Sequence, residues 1–170
     1  MKNILFSIFA MSLFACGGGA GNSSSAAASK INYPASTEKL HWLTIEEAQE
    51  LNKSEPRPMI VDVYTAWCGP CKMMDRMTFS DPNVIKKMHD DYYAVKFDAE
   101  SANPIKFGDE EFANPNHNPA TPKNRRNSPH EFSRHLKVRG YPSLVIINPD
   151  LTIKNSLVGF KQPDQLLAEL

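Results

Sequence analysis

Neither sign of charge prevails in this chain. Its 19 lysines and arginines stand against 19 aspartates and glutamates, for a formal net charge of zero. A balanced chain makes no long-range field, so it has no general means of recruiting nucleic acid or an anionic membrane by charge, and no nucleic-acid partner is expected. Long apolar runs are missing too. The run at residues 4–14 falls well short of the roughly 20 residues a helix needs to cross a bilayer. Metal-binding histidine patterns are lacking: His130 and His135 do not have the i, i+4 spacing of two ligands on one helix face. With His117 in a turn-rich stretch, ordinary surface roles are expected for these histidines, with no metal and no cofactor. Cysteine is scarce, and the count of three is odd, which leaves one thiol to explain. At 170 residues the chain is long enough for one domain with a core of its own, expected as a monomer.

What is present begins with an export pattern. Lys2 supplies a short positive start, the apolar run follows, and Leu13-Phe14-Ala15-Cys16 ends it. That ending resembles the cleavage box of bacterial lipoproteins, in which the cysteine is lipidated and becomes the first residue. Phe14 is bulkier than the pattern prefers, and an ordinary secretory signal with a coincidental cysteine is the alternative. The resemblance implies a signal peptide over residues 1–15 and an acylated Cys16 that anchors the protein to a membrane. Residues 17–29 are almost entirely glycine, alanine and serine. They have little apolar surface to bury, so residues 16–39 are expected to be a tether that gives a folded part at 40–170 its reach.

Helix and strand signals then alternate. Thr44 and Glu47 have the form of a capping box opening a helix to about Lys53. Met59 to Tyr64 suits a strand buried on both faces. Residues 70–77 suit a helix, and Asp81-Pro82 opens another. A second strand is expected over 92–98, a third over 143–147, and a returning strand over 152–158 before a terminal helix. Residues 101–129 differ, holding Pro104, Pro115, Pro119, Pro122 and Pro129. They are expected to be a Pro/Asn-rich insertion without regular structure, save a short helix near 109–112. The pattern as a whole is α/β, a mixed sheet covered by helices on both faces.

Trp67-Cys68-Gly69-Pro70-Cys71 lies between the first strand and the helix after it. Two thiols separated by two residues close a small disulfide ring when a helix begins between them, and in this context they read as a redox dithiol rather than half a metal site. A structural disulfide is the alternative, but so small a loop constrains the unfolded chain little. Asp62, in an otherwise apolar strand, is costly to bury and its pKa is expected to be raised.

These landmarks, together with Val138-Arg139-Gly140-Tyr141-Pro142-Ser143 before the third strand, resemble the thioredoxin fold over residues 40–170. Met77-Thr78-Phe79-Ser80-Asp81-Pro82-Asn83-Val84 is similar to the thioredoxin-like domain at the C-terminal end of the membrane electron carrier DsbD. The resemblance implies that Cys68 is the nucleophile at a helix N-terminus, that Cys71, one turn inside and less exposed, resolves the mixed disulfide, and that Asp62 moves protons for Cys71. It implies a cis bond at Pro142, with Tyr141 left to pair with a substrate backbone. Gly69 and Pro70 set the turn, and Trp67 either shields the dithiol or simply packs. In thioredoxins a lysine on the second strand partners the buried acid. Aligning Asp98 with the family's aspartate puts Ala94 at that position, and Lys96 is expected to face the other way. The basic run Lys123-Asn124-Arg125-Arg126 is read as a solvated surface.

Taken together, these readings describe a thiol–disulfide oxidoreductase, lipid-anchored in the cell envelope and facing the periplasm or exterior, that reduces client proteins through Cys68 and Cys71. A reductase in an oxidising compartment needs electrons, so a membrane carrier of DsbD type is the expected donor. The alternatives are a disulfide oxidase or isomerase, and a module that holds clients without turnover.

Overall fold

A computed structural model of the protein describes residues 38–170. The expected leader, Cys16 and nearly all of the tether lie outside the described residues. Helix α1 (Ile45–Ser54) starts as the capping box requires: Thr44 Oγ1 accepts from Glu47 N–H at 3.1 Å, and Glu47 Oε2 accepts from Thr44 N–H at 2.8 Å. Strand β1 (Met59–Tyr64) follows, then α2 (Gly69–Met77), α3 (Pro82–Asp91) and β2 (Tyr93–Asp98). Both α2 and α3 carry proline in the first turn, where a missing N–H costs no helix bond, and Asp81 Oδ1 accepts from Asn83 N–H and Val84 N–H. Because α2 and α3 form the crossover, β1 and β2 run parallel, with Asp62 opposite Lys96. Strands β5 (Ser143–Ile147) and β6 (Ile153–Val158), numbered after the insertion, return antiparallel and complete a mixed sheet in the order β2-β1-β5-β6. Leu43 adds one parallel bridge outside β2, and α5 (Pro163–Glu169) closes the chain.

The strand period of two divides the core. Met59, Val61 and Val63 of β1 pack with Ile45 and Ala48 of α1, with Val95 and Phe97 of β2, and with Phe132. Ile60 lies on the other face with Met74 of α2, Val84 and Met88 of α3, and Leu166 of α5. Asp62 therefore falls on the face covered by α2.

The insertion departs from expectation. Residues 105–112 are a hairpin, β3 (Ile105–Phe107) paired antiparallel with β4 (Glu110–Phe112), so no helix forms near 109–112. The cause is local and tertiary at once. Ile105-Lys106-Phe107 alternates apolar, polar, apolar, Gly108 takes φ +61° in the turn, and both apolar side chains enter the core beside Phe132. The hairpin docks on α1 through Gln49, whose Nε2 donates to Lys106 O at 2.8 Å and whose Oε1 accepts from Gly108 N–H at 2.7 Å. Residues 113–130 contain neither helix nor strand, as the prolines and asparagines suggest.

His130 is likewise a correction. It is fully buried rather than at the surface, because it caps the short helix α4 (Glu131–His135). Its Nδ1 accepts from Phe132 N–H at 3.0 Å, so the ring proton sits on Nε2 and is donated to Asn103 O at 3.0 Å. Burial pushes its pKa below the ordinary histidine value. Replacing His130 by alanine strands a buried donor and acceptor and leaves a cavity. The expected loss is at least about 2 kcal/mol, read from the urea midpoint.

Candidate dithiol active site

The end of β1 delivers the chain to the dithiol. Cys68 N–H donates to Thr65 O at 3.1 Å, closing a turn, and α2 begins at Gly69 with Cys68 as its N-cap. In the cap geometry the Cys68 Sγ accepts from Cys71 N–H at 3.1 Å. One of the unpaired amides of the helix start is thus aimed at the sulfur, where the helix dipole also favours negative charge. Cys68 and Cys71 form a disulfide with Cα atoms 5.3 Å apart. The expected difference in exposure is not seen: both cysteines are 3% exposed, since the bridge draws both sulfurs together beneath the exposed Gly69 and Pro70.

Beneath α2 lies Asp62. Cys71 and Met74 are the buried residues of α2, three apart and so on one helix face, and Met74 packs on the sheet face that carries Ile60 and Asp62. The carboxyl is almost wholly buried; Oδ1 has no hydrogen-bond partner among the described residues, and Oδ2 lies 3.3 Å from Lys96 Nζ. Burial raises the pKa to about 6, with Lys96 opposing the rise and Asp75 of α2 adding to it.

Lys96 corrects the sequence reading. It faces Asp62 rather than away from it, because Ala94, Lys96 and Asp98 are spaced by two and share a face of β2, and because the parallel register sets Lys96 opposite Asp62. Its ammonium is partly shielded, ion-paired with Asp75 as well as Asp62, and sits 4.7 Å from the Trp42 ring centroid and 5.1 Å from that of Tyr64. Parity along β2 was the signal that finds this residue.

The rim of the site is aromatic. The peptide bond between Tyr141 and Pro142 is cis. No backbone hydrogen bond among the described residues uses the Tyr141 N–H or C=O. Its half-buried ring meets Trp67 edge to face, centroids 5.9 Å apart, and burial raises its pKa. Trp67 does more than pack against Tyr141: Nε1 donates to Glu100 Oε1 at 2.9 Å, and the Arg126 guanidinium lies 4.6 Å over its ring. Glu100 was not singled out in the sequence, and Arg126, expected only as part of a solvated basic run, is exposed but stacks on Trp67. Nothing in the spacing of residues 113–130 signals a fold back onto Trp67.

A dithiol capping a helix, over a buried acid and beside a cis-proline, defines the thioredoxin class of fold and site. A family model described as "Thioredoxin-like domain" matches residues 45–170, and the chain belongs to that family. Among curated proteins, the chain is 29% identical over 109 residues to "Thioredoxin-like protein CITRX, chloroplastic" of Arabidopsis thaliana, covering 64% of this chain and 43% of the relative. It is 33% identical over 58 residues to "Thiol:disulfide interchange protein DsbD" of Campylobacter jejuni, covering 34% of this chain and 10% of the relative. The chain thus spans less than half the length of either relative. In three dimensions it resembles a thioredoxin from Thermus thermophilus with a TM-score of 0.55 and 20% identity, covering 77% of this chain and 84% of the other, a likeness of fold.

Asp62 has a consequence for stability. Its folded pKa, about 6, exceeds the unfolded value of 3.8, so between these pH values the folded state holds a proton that the unfolded state has lost. Stability therefore falls as pH rises from about 4 to about 6 and stays low above that. Asp62→Asn is expected to be more stable than the wild type by about 2–3 kcal/mol near pH 8 and to match it near pH 4, as read by denaturant titration at both pH values.

Proposed function

We propose that the protein is a thiol–disulfide oxidoreductase that reduces disulfides of client proteins outside the cytoplasm, tethered to a membrane through Cys16. The observation that carries the chemistry is the Cys68 Sγ held at the N-terminus of α2 by Cys71 N–H, because a hydrogen bond and dipole placed there favour the thiolate that attacks. In the reduced protein the Cys68 thiolate attacks one sulfur of a client disulfide. A Cys68–client bond forms, the client bond breaks, and one client thiolate leaves. Cys71 then gives its proton to Asp62 and attacks Cys68, forming the Cys68–Cys71 disulfide and releasing the second client thiolate. Two electrons pass from protein to client, and the client thiolates take up the protons.

Asp62 suits the proton step. A carboxyl with a pKa near 6 exchanges a proton close to neutral pH, its Oδ1 is buried without a partner among the described residues, and it lies on the sheet face covered by α2, the helix that carries Cys71. The Tyr141 backbone, unused by the sheet, suits strand pairing with an extended client. Gly69-Pro70 between the cysteines resembles reducing members of the family. The sequence pattern at residues 1–16 supports export and lipidation, and the similarity to a thiol:disulfide interchange protein supports a membrane carrier of that type as electron donor.

Two measurements test the reading. Reduced protein is expected to reduce insulin disulfides, and Cys71→Ala to accumulate covalent client adducts that Cys68→Ala does not form; absence of both results contradicts it. The reduction potential is expected near roughly −270 mV, whereas a value near −120 mV makes the protein an oxidase.

A further inference from the structure

Residues 113–130 carry Lys123, Arg125 and Arg126 and no aspartate or glutamate, in a protein whose charge balances only over the whole chain. This segment is built in place. Asn114 Nδ2 donates to Ser101 O and Ser128 O, Asn118 and Asn127 exchange two hydrogen bonds of 2.9 Å, and Glu131 N–H closes the end on Ala113 O. Arg125 N–H, bonded to Pro122 O at 2.8 Å, makes the turn that presents the three cations. All three are exposed, and none is ion-paired with a carboxylate among the described residues. Arg126 is nonetheless positioned, because its guanidinium stacks 4.6 Å over the ring of Trp67, the residue that adjoins Cys68. Between Trp67, Asn124, Arg125 and Arg126 lies an open hollow of about 520 Å³.

Stacking on an aromatic face leaves the guanidinium N–H donors unspent, and a planar fork of donors matches a carboxylate. Glu100, an acid on this rim, is already bonded to Trp67 Nε1. An extended chain advances about 3.3 Å per residue, so a client whose cysteine meets Cys68 brings its neighbouring residues across Trp67.

We infer that the 113–130 loop selects clients: Arg125 and Arg126 bind a client protein segment that carries aspartate or glutamate within a few residues of its disulfide cysteine. The inference rests on the oxidoreductase reading and names which clients that site prefers. The cations act on encounter and docking, and the exchange of sulfurs is unchanged.

The test uses the reduced full chain, unacylated, and two synthetic peptides. Each holds one disulfide, and they differ only in flanking residues, Asp/Glu in one and Asn/Gln in the other. The second-order rate constants are compared by stopped-flow. The acidic peptide is expected to react about tenfold faster at low salt, an advantage that shrinks towards unity at about 0.5 M salt. Arg125→Gln with Arg126→Gln is expected to bring the ratio near one at low salt. Lys154→Gln is the control. It removes an exposed cation on β6, close to the pairing of Ile153 with Ile147 and so at the far end of the hairpin from Pro142, and it is expected to keep the wild-type ratio. Equal rates for the two peptides, or a preference that survives the double substitution, overturn the inference and leave the oxidoreductase reading standing. No reaction with either peptide overturns both. A double variant that loses binding to phosphatidylglycerol vesicles, with a wild-type ratio near one, makes the rim a membrane contact and likewise overturns it.

Discussion

The hydrogen bond from Cys71 N–H to the Cys68 sulfur is only 3.1 Å long, yet most of the architecture serves to place it. For that amide to point at a sulfur, a helix must start one residue after Cys68, so Gly69 and Pro70 occupy a first turn that needs no amide from proline. For the helix to start there, β1 must end nearby and the chain must turn at Thr65, where the Cys68 amide is bonded. For β1 to aim the turn reproducibly it must be central, and it is paired on both sides, parallel to β2 and antiparallel to β5. The same antiparallel neighbour brings Pro142 in from the other side, directly ahead of Ser143 at the start of β5.

A second constraint is electrostatic. Asp62 sits in the middle of β1, where an apolar side chain would stabilise the sheet more. The protein tolerates it by setting Lys96 directly across the parallel ladder and Asp75 beyond, with Trp42 and Tyr64 against the ammonium. The arrangement leaves the carboxyl with a pKa of about 6, close enough to neutral pH for it to take up and release a proton there. A destabilised residue at a proposed proton-transfer position is a common compromise between function and stability.

The sequence disclosed the parts whose causes are local. The capping box at Thr44, the Asp81-Pro82 helix start, and the apolar runs of β1 and β5 were legible because caps and strand periods act within a few residues. The dithiol and its acid were legible because few chemistries need two thiols at that spacing beside a buried carboxylate. What escaped depends on distant partners. The β3–β4 hairpin forms because Ile105 and Phe107 find Phe132 and because Gln49 bonds the turn. His130 is buried because Asn103 and Phe132 supply partners for both ring nitrogens. Arg126 reaches Trp67 because asparagine side chains fold a segment without regular structure back across the rim. Lys96 is different in kind: its orientation followed from strand parity and needed only that rule applied consistently.

Cys68 and Cys71 are equally buried while bridged, yet they occupy unequal places at the start of α2. In the proposed mechanism the N-cap position and the hydrogen bond accepted from Cys71 N–H favour Cys68 as the attacking thiolate, with Cys71, in the first turn of α2, as the resolving thiol. Brief alkylation of the reduced protein with iodoacetamide at neutral pH, followed by peptide mapping, reads this directly. The expected result is label on Cys68 with Cys71 essentially unmodified. Label on Cys71 first, or on both at equal rates, would contradict it.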